Sequence, residues 1–272
     1  MSIIIISRGS YSHGKEVAEK VAQKLGYECI SREALLRASK EFNIPEIKLA
    51  RALQDAPSFF ERFTFGKEKY VAYVSAALLS QVQKDNVVYH GLAGHFFLQG
   101  IPHVLKVRII ADPEDRVAEE IRRDNLSAEA ARKKLRKDDE DRRKWSLQLL
   151  GVDTWDPNLY DQMINIRSMT VDNAAELIAT AVKFPCFQTT PQSHQMLNDL
   201  ALAARVKAAL VEEFPTATVT ATEGQVLVIF WGSAEGFWGS AKDTMDLTAY
   251  VRELASQATD AEVEVRYQVR VS

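Results

Sequence analysis

Four consecutive isoleucines, Ile3-Ile4-Ile5-Ile6, stand just before a glycine-bounded loop, Gly9-Ser10-Tyr11-Ser12-His13-Gly14-Lys15-Glu16, and this order restricts the folds open to the chain. A strand with one wet face alternates apolar and polar residues, whereas an unbroken β-branched run marks a strand covered on both faces. Past the loop, apolar residues recur at Val17, Ala18, Val21, Ala22 and Leu25, the spacing of one helical face, and Gly26 stands where a helix C-terminus favours a left-handed residue. Strand, loop and helix thus fill the first 26 residues. A first strand of this kind belongs to a parallel sheet with helices on both faces, the α/β class.

The loop matches GxxxxGK, and its place between a buried strand and a helix gives the match its meaning. Successive backbone N–H groups in such a loop converge on phosphate oxygens, the helix dipole adds positive potential, and the lysine ammonium reaches the outer phosphates. The bland alternative is a glycine turn opening a helix. Loops of this type usually end in Ser or Thr, whose hydroxyl ligates Mg²⁺; here the position is Glu16, a longer carboxylate able to hold the metal directly or through water, or to point elsewhere.

Further helices are predicted at about 33–41, 45–54 and 68–82, with buried strands at Val87–His90 and Leu105–Ala111. The helix-rich stretch between the first strand and Val87 reads as a long crossover. After Asp112-Pro113 comes a polar helical stretch, 114–144, rich in arginine and lysine, then a turn at 151–157, a strand at 161–165 and a helix at 171–182. Phe184-Pro185-Cys186-Phe187-Gln188-Thr189-Thr190-Pro191-Gln192-Ser193 has two prolines and no charge, the composition of a linker. Beyond it the order is αββαβ, with Val263, Val265 and Tyr267 alternating with Glu264, Arg266 and Gln268 in a half-exposed last strand. The expected domains are 1–184, a linker at 185–194, and a small α+β domain at 195–272.

Composition excludes several classes. With 34 Lys+Arg against 37 Asp+Glu the chain has no basic coat for nucleic acid, so any anion must be gripped locally. Cys29 and Cys186 stand far apart, outside any CxxC or Cys/His cluster, and read as two reduced thiols. The N-terminus lacks the basic segment and the longer apolar run of a secretory signal. No uninterrupted apolar run reaches the roughly 18 residues of a membrane span. A soluble, cytoplasmic protein is expected.

Ser7-Arg8-Gly9-Ser10-Tyr11-Ser12-His13-Gly14-Lys15-Glu16, with Ala18-Glu19-Lys20, Leu25-Gly26 and Ser31-Arg32-Glu33, resembles the opening of the cytidylate kinase-like proteins, P-loop relatives of the nucleoside monophosphate kinases. Those proteins often carry Glu after the last basic residue of the loop. Their usual Asp before the Arg-Glu pair is Ser31 here. A second match lies at 137–145, where Asp139, Arg142 and Trp145 follow that family's lid pattern of DxxR plus an aromatic, and Leu159-Tyr160-Asp161 resembles its approach to the last strand. Phosphoryl transfer needs cations over a charge-dispersed transition state, and the planar guanidinium suits phosphate oxygens. Arg116, Arg122, Arg123, Arg142 and Arg143 are available for this, although most charges of such a stretch belong to a solvated, salt-bridged helix. The i,i+3 spacing puts Asp139 and Arg142 on one helical face.

The resemblance implies an ATP-dependent nucleotide kinase. ATP with Mg²⁺ would sit on Gly9, Ser10, Tyr11, Ser12, His13, Gly14, Lys15 and Glu16, with Glu16 toward the metal. Lys15, Arg116 and Arg142 would stabilise the transferred phosphoryl group, and Arg32, Asp139 and Arg142 would hold a CMP- or dCMP-like acceptor. His90, Gly91 and His13 are weaker candidates, with a small-residue turn and a solvent-exposed histidine as the bland alternatives. The αββαβ segment is similar to BON-type domains and leaves room for a protein partner or self-association; Phe230, Trp231, Phe237 and Trp238 are either a partner surface or an edge of that domain's own core. The competing reading is a catalytically weak nucleotide-sensing module that signals through the C-terminal domain.

Overall fold

The computed structural model describes residues 1–10, 12–31, 65–91, 94–233 and 241–270, with the side chains of 149, 232–233, 241–244 and 269–270 left aside. The helices predicted at 33–41 and 45–54, and Tyr11, Arg32, Phe237 and Trp238, lie outside the described residues. Close packing divides the chain into two compact units, 1–34 with 84–190, and 35–83 with 191–272.

The first unit is built on five parallel strands: β1 (Ile3–Arg8), β2 (Glu28–Ser31), β3 (Val87–His90), β4 (Val104–Ala111) and β5 (Gln162–Ile166), in the spatial order β2-β3-β1-β4-β5. The isoleucine run is the central strand, Ile3 to Ile6 pairing in register with Val87 to His90 on one side and with Val104 to Val107 on the other. On one face Ile4 and Ile6 pack with Val17, Val21 and Ala22 of α1 (Gly14–Leu25) and with Ala174, Ala175 and Ile178 of α6 (Val171–Ala181). On the other, Ile5 and Tyr89 meet α3 (Gly94–Phe97), so tightly that a Cβ on Gly94 would lie 2.6 Å from the Tyr89 ring and 3.0 Å from Ile5. Helical cover on both faces is what the unbroken apolar strand required.

Two features depart from the sequence-based expectation. Strand β2 was missed because Ile30 alone among its residues is buried while Glu28 and Cys29 are exposed, leaving a short edge strand without a readable alternation. The stretch 114–144 is two helices, α4 (Pro113–Asp124) and α5 (Ala128–Leu150). Asn125 ends the first in the left-handed region at φ 53° and the Ser127 hydroxyl caps the second by accepting from the Ala130 N–H.

The second unit holds α2 (Gly66–Val82), α7 (Pro191–Leu210), β6 (Thr218–Thr222), β7 (Gln225–Ser233), α8 (Ala241–Ser256) and β8 (Val263–Arg270). Strands β6 and β7 are antiparallel about the Glu223-Gly224 turn, and β8 lies parallel to β7, giving the expected αββαβ order, with α7 beginning at Pro191 inside the stretch expected as a linker. Val206, Leu210, Val226, Val228, Phe230, Val251, Val263 and Val265 form its core, which places Phe230 inside while Trp231 stays exposed. Helix α2 is buried almost all round and runs against α7, where Gln83 donates to Asn198 at 3.0 Å and Lys69 meets the Glu212 carboxylate at 3.0 Å. No described helix is long and apolar enough to cross a membrane.

Candidate active site

The loop between β1 and α1 is held from within before anything binds it. The Ser12 hydroxyl donates to the Gly9 carbonyl at 3.1 Å, and His13, in the left-handed region at φ 59°, offers its own carbonyl to the Val17 N–H at 3.0 Å. Gly14 is required sterically: a Cβ there would stand 2.6 Å from the Cβ of Arg8. Ser10 and Ser12 are buried, whereas Lys15 and Glu16 in the first turn of α1 are exposed. The Lys15 ammonium lies 3.7 Å from Glu19, one turn along.

Helices α4 and α5 bring two arginines onto this loop. Arg116 donates through Nε to the Ser10 carbonyl at 2.8 Å and forks onto both oxygens of Asp139 at 2.8 and 2.9 Å. Arg142 donates to the Arg8 carbonyl at 2.9 Å and to the Ser10 hydroxyl at 3.1 Å, and that hydroxyl lies 3.3 Å from Asp138. Burial lowers the pKa of Arg142, with the nearby Arg8 charge adding to the effect and Asp139 and Asp138 opposing it. A Cβ on Gly9 would lie 3.5 Å from Arg116 and 3.6 Å from Asp139, so the two helices sit in contact with the loop. Arg122 and Arg123 instead pair on the surface with Glu119 and Asp124, and Arg143 binds Asp153 and lies over the Trp155 ring.

Beside the loop, the Tyr160 hydroxyl gathers four elements. It donates to the Thr154 carbonyl at 3.0 Å, accepts from Arg108 of β4 at 3.2 Å, and lies 3.3 Å from the Ser7 hydroxyl and 3.4 Å from Nε2 of His95. Burial, with the Arg108 and Lys106 charges, drives the His95 pKa down to about 3. Its imidazole is therefore neutral at ordinary pH. This junction ties the end of β1, one residue before Arg8, to the segment leaving α5.

A model of the cytidylate kinase-like family matches residues 3–168. The chain belongs to that family. The match takes in the loop, Arg116, Asp139, Arg142 and Tyr160. A cytidylate kinase from Archaeoglobus fulgidus is 29% identical over 185 residues, covering 66% of this chain and 94% of its own. A crystal structure of an uncharacterized protein from Eubacterium ventriosum is similar in fold, with 19% identity and a TM-score of 0.51, over 67% of this chain and 98% of that one. Family membership makes the chain a nucleotide kinase.

The side chains of this cytidylate kinase-like protein offer one exposed carboxylate at the loop's end, Glu16. Among the described residues no three His, Cys, Asp or Glu side chains converge in metal-binding geometry. Mg²⁺ in kinases takes one or two carboxylates and completes its shell with phosphate oxygens and water, which exposed Glu16 at the loop's end is able to join. Gly91 and Gly94 serve packing, since a Cβ on Gly91 would stand 2.7 Å from the Tyr89 hydroxyl. His90 is buried at the end of β3 and His13 is half-buried in the loop. Sequence reasoning passed over Arg8, Asp138, Arg108 and His95. Ser7-Arg8 was visible as part of the loop's motif; the others carry no local signal.

Proposed function

We propose that the protein transfers the γ-phosphoryl group of ATP to a nucleoside monophosphate, with CMP or dCMP as the acceptor. The observation that carries this reading is the convergence of Arg116 and Arg142 on the 9–16 loop, where both hydrogen-bond loop atoms. The acceptor's phosphate oxygen attacks the γ-phosphorus, the bond to the β–γ bridging oxygen breaks, and ADP leaves with that electron pair. Protein nucleophiles are unnecessary, because positioning and charge neutralisation carry such reactions.

In this scheme the amides of 9–14 cradle the donor phosphates, and Lys15 turns from Glu19 toward the outer ones. Arg116 and Arg142 stabilise the equatorial oxygens in the transition state. Asp139 orients Arg116 and uses a remaining lone pair for a ribose hydroxyl, while Arg142 and Arg32 take the acceptor phosphate. Glu16 would help to hold a magnesium ion, which when bound would supply further charge neutralisation. The cytidine preference is supported by the name of the archaeal relative and by the lid motif, and a cytoplasmic setting by the free thiols of Cys29 and Cys186. A BON-like role for 195–272 in contacting a protein partner or a second copy is supported by the αββαβ order.

Purified protein given ATP–Mg²⁺ and each nucleoside monophosphate in turn is expected to form ADP and the diphosphate fastest with CMP or dCMP. Lys15→Ala is expected to cut kcat by roughly 10²-fold or more, the scale seen when one preorganised transition-state donor is lost. ATP binding without acceptor-dependent turnover, indifferent to Lys15→Ala, would reject the kinase reading in favour of a nucleotide sensor.

A further inference from the structure

We propose that Arg8, the last residue of β1, is a direct phosphate ligand and forms with Arg142 a two-guanidinium seat for one phosphoryl group. The inference rests on the kinase reading and assigns a residue to the same site.

The arginine stands in surroundings that stability alone disfavours. Its side chain is half-buried, its Nε is sealed from solvent without an acceptor, and its guanidinium forms no hydrogen bond or ion pair with another described residue, although its main-chain carbonyl accepts from Arg142. The nearby carboxylates are already engaged: both oxygens of Asp139 accept from Arg116, and Asp138 faces the Ser10 hydroxyl. Among the described residues Arg142 reaches only a carbonyl and that hydroxyl, and hydrogen-bonds no carboxylate. Burial above all, and after it the Arg8 charge, lowers the pKa of Arg142.

The aliphatic stem of Arg8 runs across the first residue of α1, where a Cβ on Gly14 would stand 2.6 Å from its Cβ and 2.7 Å from its Cδ. A cation there sits at the positive end of the helix dipole, the reverse of the stabilising arrangement. Two guanidiniums that hydrogen-bond no described carboxylate, beside the N-terminus of α1, make this end of the loop strongly positive. A phosphoryl dianion relieves all of these at once, accepting from both forks and from the amides. A monovalent carboxylate neutralises only half as much. The phosphoryl group comes from either the ATP chain or the acceptor monophosphate, and separate titrations distinguish the two.

Arg8→Met keeps the stem against Gly14 and removes the charge; the carbonyl that Arg142 uses is main chain and stays. With the full-length protein, ATP, CMP and inorganic pyrophosphate are each titrated alone by calorimetry, and the ligand-free melting temperature is read in parallel. Expected is an unchanged or raised melting temperature together with a loss of about tenfold or more in affinity for pyrophosphate and for at least one nucleotide, as for a lost hydrogen bond to a charged group. Loss with ATP assigns the seat to the donor, loss with CMP to the acceptor. Wild-type affinities for all three ligands would overturn the proposal. Should Arg8→Met not fold, Arg8→Lys decides: a single ammonium in place of the fork is expected to weaken one of the nucleotides by about tenfold, and undiminished binding rejects the seat. A wild-type protein that binds ATP but phosphorylates no acceptor fails the kinase reading and leaves the seat standing.

Discussion

His13 sits in the left-handed region, φ 59° and ψ 14°, in the middle of the phosphate loop. An L-residue with a Cβ pays roughly 1–2 kcal/mol there, while glycine's freedom in the unfolded chain returns roughly 0.5–1 of that. His13→Gly is therefore expected to stabilise the protein by about 0.5–1 kcal/mol, seen as a later midpoint in urea with an unchanged slope. An earlier midpoint would show that the imidazole holds the loop. His95 makes a prediction in pH. Its folded pKa of about 3 lies below the ordinary 6.5, so the unfolded chain binds a proton that the folded one refuses between those values. The stability it contributes is complete above pH 6.5 and falls as the pH drops toward 3, at up to about 1.4 kcal/mol per pH unit. His95→Gln should flatten that part of the curve; an identical acid limb in the variant would remove His95 as its cause. Neither property was legible in the sequence, because a backbone angle and a burial are set by neighbours that no local pattern names. Gly9, Gly14 and Lys15 stood out in the sequence because the proposed loop chemistry asks for those residue types at fixed spacing, and the structure adds a steric need for Gly14.

Between α4 and α5 the chain turns on Asn125 and Ser127, and the pair is closed by Val117, Ala131 and Leu135 with Ile121 and Leu126. Glu120 is fully buried in this hairpin, and Lys134 pairs with it and with Asp124, the latter at 2.5 Å. Both carboxylates raise the Lys134 pKa, so the ammonium is kept charged. Removing the cation strands a carboxylate in an apolar setting, while removing both members leaves a plain apolar contact. Lys134→Met is accordingly expected to lower the melting temperature, and adding Glu120→Leu to recover part of the loss. Additive effects would mean that the two side chains do not interact. The same hairpin carries Arg116 and Arg142 to the loop, so Lys134→Met should also weaken ATP binding. The sequence marked this stretch as helical and basic but not as broken, because it lacks the glycine or proline that usually announces a break. A buried glutamate among so many charges has no signature of its own. The edge strand β2 escaped for the opposite reason, having too few buried residues to show a period.

At the scale of the molecule, the P-loop architecture was legible from a single buried strand and its loop, and the αββαβ order from alternation. What local patterning could not convey is which helices pack together across long separations in sequence. Helix α2, read from sequence as part of the crossover, packs against α7 and the turn after it, more than 100 residues away in sequence: Gln83, which caps α2, bonds Asn198, and Lys69 and Tyr73 bond Glu212 just past the end of α7. Tyr70, Val74, Leu78, Leu79 and Val82 of α2 are all buried. A chain ended after Thr190 keeps this apolar helix and loses α7. Such a fragment is expected to bind a hydrophobic dye, to aggregate on heating, and to melt below the intact protein, since an apolar helix without its partner exposes surface worth about 25 cal/mol per Å². Supplying 191–272 as a separate polypeptide should suppress dye binding, because the missing half of the second unit is then present. A fragment 1–190 that melts cooperatively at the full-length temperature without binding dye would show that α2 needs nothing from α7. It would then favour a self-sufficient domain ending at residue 184, with the C-terminal segment as an appended module.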